Sequence, residues 1–181
     1  MPQPTVTVHD KTFELFIAEE EIQKKVEELG SSLSQNLKDT KPLFIGILNG
    51  AFMFASDLMK AVNIPAEITF MKVTSYQGME TTGQTKELIG LNDSVKGRDI
   101  VVVEDIVDTG ITMESIVDQL KNLGAKSIEV ASLLLKPDCL QRDVEVKYTG
   151  FEIPEKFVVG YGLDYDGLGR NLKDIYQLKH E

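Results

Sequence analysis

The sequence predicts an α/β fold with a Rossmann-like parallel sheet flanked by helices. Apolar runs of strand length alternate along the chain with amphipathic segments of helical period, which is the pattern of a parallel sheet covered by helices on both faces. The run Leu43–Leu48 is continuously apolar, as is typical of a strand buried on both faces. Ligands of such sheets bind at the carboxyl ends of the strands, so residues at those ends are the first candidates for a site.

The first half of the chain begins with a short β-like segment, Thr5–Val8, and continues with an amphipathic helix over 19–38. Acidic residues at the start of this helix suit the positive end of its dipole. Its apolar face is formed by Ile22, Val26, Leu29, Leu33 and Leu37. The strand Leu43–Leu48 then leads through an Asn-Gly turn to a helix over 51–62 and a strand over 66–73.

The second half begins after a polar segment, 75–87, which has no apolar period and predicts a mobile loop. A strand over 99–105 follows, then a helix after Thr112 that stops at Gly124. The strand Ser127–Leu135 and a last short strand over 156–161 complete the predicted elements.

The composition narrows the classes of function. With 181 residues and 42% hydrophobic content the chain can bury a sizeable core, and no apolar stretch has the roughly 18 residues of a membrane helix. Neither a signal peptide nor a membrane location is expected, and the single cysteine, Cys139, fits the reducing cytoplasm. The net charge of −10 argues against a nucleic-acid partner. If the substrate is a polyanion, this charge also favours a divalent cation such as Mg²⁺.

The most informative segment is 102–112, which reads Val-Val-Glu-Asp-Ile-Val-Asp-Thr-Gly-Ile-Thr. The adjacent carboxylates Glu104 and Asp105 can hold vicinal sugar hydroxyls or a divalent cation. The turn from Asp108 to Thr112 offers hydroxyls and free N–H groups at a helix N-terminus, which is a phosphate site. Together they predict a pocket for a phosphorylated sugar. The alternative is a strand-turn-helix unit whose acids only cap the helix.

Three parts of the sequence stand at carboxyl ends of predicted strands and should therefore converge. They are the triplet Leu48, Asn49 and Gly50, the acid pair at 104–105, and Lys136. This expectation comes from the strand pattern alone.

The segment 102–112 resembles the phosphoribosyl-pyrophosphate signature of the type I phosphoribosyltransferases. The flanking motifs narrow the resemblance to the hypoxanthine-guanine phosphoribosyltransferase family, over roughly residues 40–175. The resemblance implies the type I fold in a single domain, 1–181. Its core would span about 40–160, and a small hood lobe would come from the terminal segments, about 1–18 and 150–181.

The resemblance assigns the phosphoribosyl pyrophosphate site residue by residue. Glu104 and Asp105 would hold the ribose hydroxyls and approach the metal, and Asp108 would be the general base for the proton on purine N7. The 5′-phosphate would lie in a turn formed by Asp108, Thr109, Gly110, Ile111 and Thr112. Ile111 stands where the family often has a polar residue, so the backbone cradle remains but a side-chain contact is lost.

Two further segments would complete the sugar-pyrophosphate site. Leu48, Asn49 and Gly50 match the pyrophosphate loop, in which the first peptide can be cis and the second residue is usually basic. An ordinary Asn-Gly turn is the alternative there. Ser75 and Tyr76 match the family's lid, which excludes water from the reacting ribose.

The purine site would combine Lys136 with the segment that begins at Lys156. Lys136 would donate to the 6-oxygen of the base, which an adenine amino group cannot accept. Phe157 would stack on the base, and the backbones of Val158 and Leu163 would read its edge. Two further residues would act on phosphoribosyl pyrophosphate: Asp164 would ligate or orient Mg²⁺, and Arg170 would reach pyrophosphate. Without the resemblance, Phe157 would be a core residue, Asp164 a turn residue and Lys136 a solvated lysine.

The implied function is Mg²⁺-dependent transfer of the 5-phosphoribosyl group to N9 of hypoxanthine, or guanine, in purine salvage, forming IMP or GMP and pyrophosphate. The alternatives are a xanthine- or uracil-type phosphoribosyltransferase and a non-catalytic regulator that senses nucleotides. The family also implies a homodimer or homotetramer whose ligands are small molecules.

Overall fold

The computed structural model describes residues 4–75, 86–89 and 94–179. Its larger sheet contains five parallel strands, β3 (Leu43–Leu48), β4 (Glu67–Ser75), β6 (Asp99–Val107), β7 (Ser127–Leu135) and β8 (Tyr148–Glu152). A sixth strand, β5 (Lys86–Ile89), pairs antiparallel with β4 at one edge. The strand order is β5-β4-β3-β6-β7-β8, so the central strands β3 and β6 are neighbours.

Among the described residues, three α-helices cover the two faces of this sheet. The helices α1 (Glu19–Asn36) and α2 (Phe52–Ala61) pack on one face, and α3 (Ile111–Asn122) packs on the other. Apolar side chains of β6 alternate between the two packed layers, with Val101 and Val103 on the side of α1 and α2 and Ile100 and Val102 on the side of α3. None of the helices among the described residues is long and apolar enough to cross a membrane.

A second, antiparallel sheet forms the hood. Its strands are β1 (Thr5–Val8), β2 (Lys11–Ile17), β9 (Val158–Val159) and β10 (Ile175–Leu178), in the order β1-β2-β10-β9. It has its own small apolar cluster, built from Val8, Phe13, Val159 and Tyr176. The hood therefore joins the two ends of the chain above the parallel sheet, and the helix-flanked parallel sheet predicted from the sequence is confirmed.

Some predicted boundaries are wrong. Strand β6 continues to Val107, so the acid pair lies inside the strand rather than at its end, since its pairing with β7 extends to Leu135. Ser75, Lys86 and Glu87 were predicted to lie in a loop, but they belong to the strands β4 and β5, which pair with each other. Residues 76–85 of that predicted loop lie outside the described residues. Helix α1 ends at Asn36, and four strands (β2, β5, β8 and β10) were not predicted.

Candidate active site

Two carboxylates lie next to each other near the carboxyl end of β6. Glu104 is 8% exposed, and burial raises its pKa well above the ordinary value, with the neighbouring charge of Asp105 adding to the effect. Burial also raises the pKa of Asp105, although hydrogen bonds and the positive charge of Arg170 oppose that change. The pair is therefore short of positive partners, and a cation or a set of hydroxyl donors would stabilise its ionised form.

The segment after β6 turns tightly into α3. Gly110 has φ of +78°, a conformation that suits glycine, and it stands directly before the first residue of the helix. A cavity of about 110 Å³ lies at this turn, lined by Glu104, Ile106, Val107, Asp108, Thr109, Gly110, Thr112 and Met113. The start of α3 thus lines a small cavity of mixed polar and apolar character, and the N-terminus of a helix is a common site for phosphate. Ile111 is the first residue of α3 and is exposed.

Lys136 follows β7 and reaches back to this turn. Its Nζ donates to Oδ2 of Asp108 at 2.8 Å, and its backbone N–H donates to the carbonyl of Val107 at 3.0 Å. The lysine is only 8% exposed, so the interpretation of a solvated surface lysine is wrong. A buried ammonium is usually paired, and here its partner is the proposed general base.

The loop between β3 and α2 approaches the acid pair from the neighbouring strand. The Leu48–Asn49 peptide bond is cis, as the resemblance implied. Gly50 lies so close to Asp105 that a Cβ at this position would overlap the carboxylate. The carboxyl ends of β3, β6 and β7 therefore do converge, as the strand pattern predicted.

The hood carries Phe157, the aromatic residue that the resemblance assigns to the purine. Phe157 is 43% exposed, so the interpretation as a core residue is wrong. Its ring meets Tyr165 edge to face at 5.6 Å between ring centroids and lies 5.8 Å from the ring of Phe13. The flanking Val158 and Leu163 are buried. The ring of Phe157 thus packs against two other aromatic rings and remains partly exposed to solvent.

Asp164, which the resemblance assigns to Mg²⁺, forms an ion pair with Arg170. Their closest atoms are 2.7 Å apart, and Arg170 also donates to the carbonyl of Gly162 at 2.6 Å. The second oxygen of Asp164 accepts the N–H of Gly167 at 2.7 Å. Among the described residues, no group of three or more histidine, cysteine, aspartate or glutamate side chains could hold a metal ion.

Oxygen donors of this kind still fit Mg²⁺, which proteins often hold through one or two carboxylates together with substrate phosphates and water. Glu104 and Asp105 supply such carboxylates, and burial without a full set of positive partners makes them suitable for a cation. Asp164 is instead paired with Arg170, whose positive charge also acts on Asp105. The donor set therefore fits a cation completed by substrate.

Ser75 is the last residue of β4, and Tyr76 lies outside the described residues. Three other residues near the site were missed from the sequence: Tyr161, its partner Asp57, and Asp10, which accepts a hydrogen bond from Tyr165. The pattern Gly160-Tyr161-Gly162 was the available signal for the first of them, because glycines on both sides of an aromatic residue indicate an unusual turn. No pattern in the sequence around Asp57 or Asp10 indicates their contacts.

Comparison with known proteins agrees with this geometry. Residues 17–166 match the model of the phosphoribosyl transferase domain. The chain is 46% identical to the hypoxanthine-guanine phosphoribosyltransferase of Bacillus subtilis over 91% of its own length and 92% of that protein. The chain belongs to the hypoxanthine-guanine phosphoribosyltransferase family.

Solved structures of the hypoxanthine-guanine phosphoribosyltransferase family have the same fold. A hypoxanthine phosphoribosyltransferase from Staphylococcus aureus superposes with a TM-score of 0.86 at 41% identity, covering 92% of this chain and 91% of that one. A hypoxanthine-guanine phosphoribosyltransferase from Bacillus anthracis, with a HEPES molecule in its active site, gives 0.85 at 32% identity, over 92% and 98% of the two chains. The likeness therefore extends over nearly the whole chain, hood included.

Proposed function

We propose that this protein transfers the 5-phosphoribosyl group from phosphoribosyl pyrophosphate to N9 of hypoxanthine or guanine, releasing pyrophosphate, in a Mg²⁺-dependent reaction of purine salvage. The observation that carries the proposal is the contact between Lys136 and Asp108. This contact places an ammonium that can donate to the 6-oxygen of a purine next to a carboxylate that can accept a proton. Asp108 also lines the cavity at the start of α3.

The sugar and phosphate groups would bind at the ends of β6 and β3. The carboxylates of Glu104 and Asp105 would accept hydrogen bonds from the ribose hydroxyls. The 5′-phosphate would bind the backbone and hydroxyl groups of the turn at 108–112, where the start of α3 favours negative charge. Pyrophosphate would meet the Leu48–Gly50 loop and Arg170.

Mg²⁺ fits this arrangement as a partner of both protein and substrate. It would be held by Glu104 and Asp105, and by Asp164 after exchange with Arg170. When bound, it would supply positive charge to the pyrophosphate leaving group. The chain has a net charge of −10, so this contribution matters for a polyanionic substrate.

The purine would lie between the hood and Lys136. Phe157 offers an exposed ring for stacking, and the backbones of Val158 and Leu163 would read the edge of the base. An ammonium has three donors, so Lys136 can keep its bond to Asp108 and still donate to the 6-oxygen. Adenine, whose 6-amino group cannot accept that bond, would leave a buried donor unsatisfied.

Asp108 would accept the proton from purine N7 while N9 attacks the ribose. Its side chain is 48% exposed, so a bound purine can reach it, and its negative charge would stabilise the cationic ribose centre. Xanthine remains a second candidate substrate, because the contacts to the 2-position come from the backbone. Assembly as a homodimer or homotetramer remains a prediction of the resemblance.

The test offers the purified protein phosphoribosyl pyrophosphate and Mg²⁺ with hypoxanthine, guanine, xanthine, adenine or uracil in turn, and follows nucleotide formation. We expect turnover with 6-oxopurines only, and none after EDTA removes the metal until Mg²⁺ is restored. Turnover with uracil alone would contradict the assignment of Lys136. No turnover with any base, despite binding of the sugar pyrophosphate, would instead favour the nucleotide-sensing regulator.

A further inference from the structure

Three successive residues inside the purine-reading segment, between Phe157 and Leu163, have positive φ angles. They are Gly160 (+102°), Tyr161 (+48°) and Gly162 (+100°). The turn is closed by two hydrogen bonds of 3.0 Å between the backbones of Gly160 and Leu163. Positive φ at both central residues is the mark of a type I′ turn, in which asparagine, aspartate or glycine is usual and tyrosine is not. A tyrosine in this conformation needs support from its surroundings.

That support comes from the interior of the parallel-sheet domain. The side chain of Tyr161 is 1% exposed, and its hydroxyl donates to Oδ2 of Asp57 at 2.7 Å. The same carboxylate accepts a bond from Gln23 on α1 at 3.1 Å and pairs with Lys60. Asp57 belongs to α2, the helix that begins directly after the Leu48–Gly50 loop. Tyr161 therefore ties a hood turn to the helix that follows the proposed pyrophosphate loop.

The turn itself is pressed against that loop. A Cβ at Gly162 would overlap the carbonyl oxygen of Gly50, so the two backbones are in direct contact. The carbonyl of Gly162 in turn accepts the bond from Arg170, and the N–H of Tyr161 donates to Leu172 at 2.8 Å. A shift of this turn would therefore move the pyrophosphate loop, Arg170 and the purine-reading segment relative to one another.

We propose that Tyr161 is a positioning residue for the transfer reaction, fixing the purine-reading segment against the pyrophosphate loop through its bond to Asp57 and the contact of Gly162 with Gly50. The inference rests on the proposed function. Tyr161 touches neither substrate, since its ring lies in the core. Its effect should therefore appear in the alignment of the two bound substrates, and hence in kcat, more than in the affinity for either one.

The test compares Tyr161→Phe with Tyr148→Phe. Tyr148 is a matched control, because it is 3% exposed and also donates to a carboxylate, that of Glu129 at 2.9 Å, but it belongs to β8 and its hydroxyl lies between Glu129 and Asn36, which are not site residues. We expect Tyr161→Phe to lower kcat about tenfold while both KM values change less than about threefold. Tyr148→Phe should lower the urea midpoint of unfolding comparably and leave kcat within about twofold.

A second pair of variants checks the partner. Asp57→Asn keeps an oxygen for the tyrosine hydroxyl and should retain most of kcat, whereas Asp57→Leu removes the acceptor and should reproduce the loss seen with Tyr161→Phe. Equal kcat in Tyr161→Phe and the unaltered protein would overturn the inference alone, as would equal losses in Tyr161→Phe and Tyr148→Phe. An unaltered protein that turns over no base would overturn the proposed function, and this inference with it.

Discussion

The proposed sugar-phosphate end of the site (48–50 and 104–112) belongs to the parallel sheet, whereas the proposed purine end (Phe157 to Leu163) belongs to the hood. The first is built from the carboxyl ends of central strands and the loops that follow them, and the strand residues beneath it, such as Val103 and Ile47, are almost fully buried. The second is built around the short strand β9, whose partner β10 pairs in turn with β2 from the opposite end of the chain.

This contrast separates two ways of holding a ligand group. At the sugar-phosphate end, backbone approaches backbone or carboxylate so closely that side chains are excluded, as at Gly50. At the purine end, an exposed ring is supported by other aromatic rings, as Phe157 is by Tyr165 and Phe13. Substitutions at the sugar-phosphate end should therefore lower activity strongly. Substitutions at the purine end should lower it less, to a degree that depends on how much of the aromatic support is removed.

Asp108 lies where the two ends meet, so its substitution should have the largest effect. Asp108→Asn keeps an oxygen for Lys136 but cannot accept the purine proton, and we expect kcat to fall by about 10² to 10⁴. Steady-state kinetics with both substrates would measure this. Asp118→Asn is the control, because Asp118 also pairs with a lysine, Lys121, on the exposed face of α3. A fall in kcat of less than tenfold would assign the proton to another group.

The sequence allowed the sugar-phosphate end to be predicted well because its parts are contiguous. The acids, the turn with Gly110 and the start of α3 follow one another within a dozen residues, and each has a local signature. The length of β6 was the exception. Its continuation to Val107 depends on pairing with β7, and that pairing has no signal within β6 itself.

The purine end was predicted only through the resemblance, because its supports are distant in sequence. Tyr165 bonds to Asp10 across 155 residues, and β10 pairs with β2 from the opposite end of the chain. Strands as short as Ile175–Leu178 carry too few residues for a reliable alternation. Tyr161 likewise gives no sign in the sequence that its ring reaches Asp57.

Gly50→Ala tests the close packing of the sugar-phosphate end. A Cβ there would overlap the Asp105 carboxylate, so the loop must shift, and a displacement near 1 Å is expected to lower kcat/KM for phosphoribosyl pyrophosphate by about 100-fold. Gly30→Ala is the control, because its Cβ would instead crowd Ala61, away from the site. Comparable losses of kcat/KM in both variants, measured where each is folded, would show that the loss is not specific to the loop, and an unchanged kcat/KM in Gly50→Ala would show that the loop tolerates the shift.

Tyr165→Phe tests the purine end and should have the smallest effect. The variant keeps the ring that meets Phe157 edge to face and removes only the hydroxyl, which donates to Oδ1 of Asp10 at 2.9 Å. That hydrogen bond is the main cause of the lowered pKa of Asp10, but both partners are open to solvent, so water can replace much of it.

We therefore expect Tyr165→Phe to raise KM for hypoxanthine about two- to threefold and to leave kcat and KM for phosphoribosyl pyrophosphate unchanged. Tyr176→Phe is the matched control in the same sheet, since its hydroxyl donates to Asp174 at 3.0 Å without contacting Phe157. An equal rise in KM for hypoxanthine in Tyr165→Phe and Tyr176→Phe would mean that any disturbance of the hood sheet has this effect, and not specifically the loss of support for Phe157. A rise in KM for phosphoribosyl pyrophosphate as large as that for hypoxanthine would mean that the two ends are not separable, because the Asp10–Tyr165 contact would then reach the sugar-phosphate loops as well.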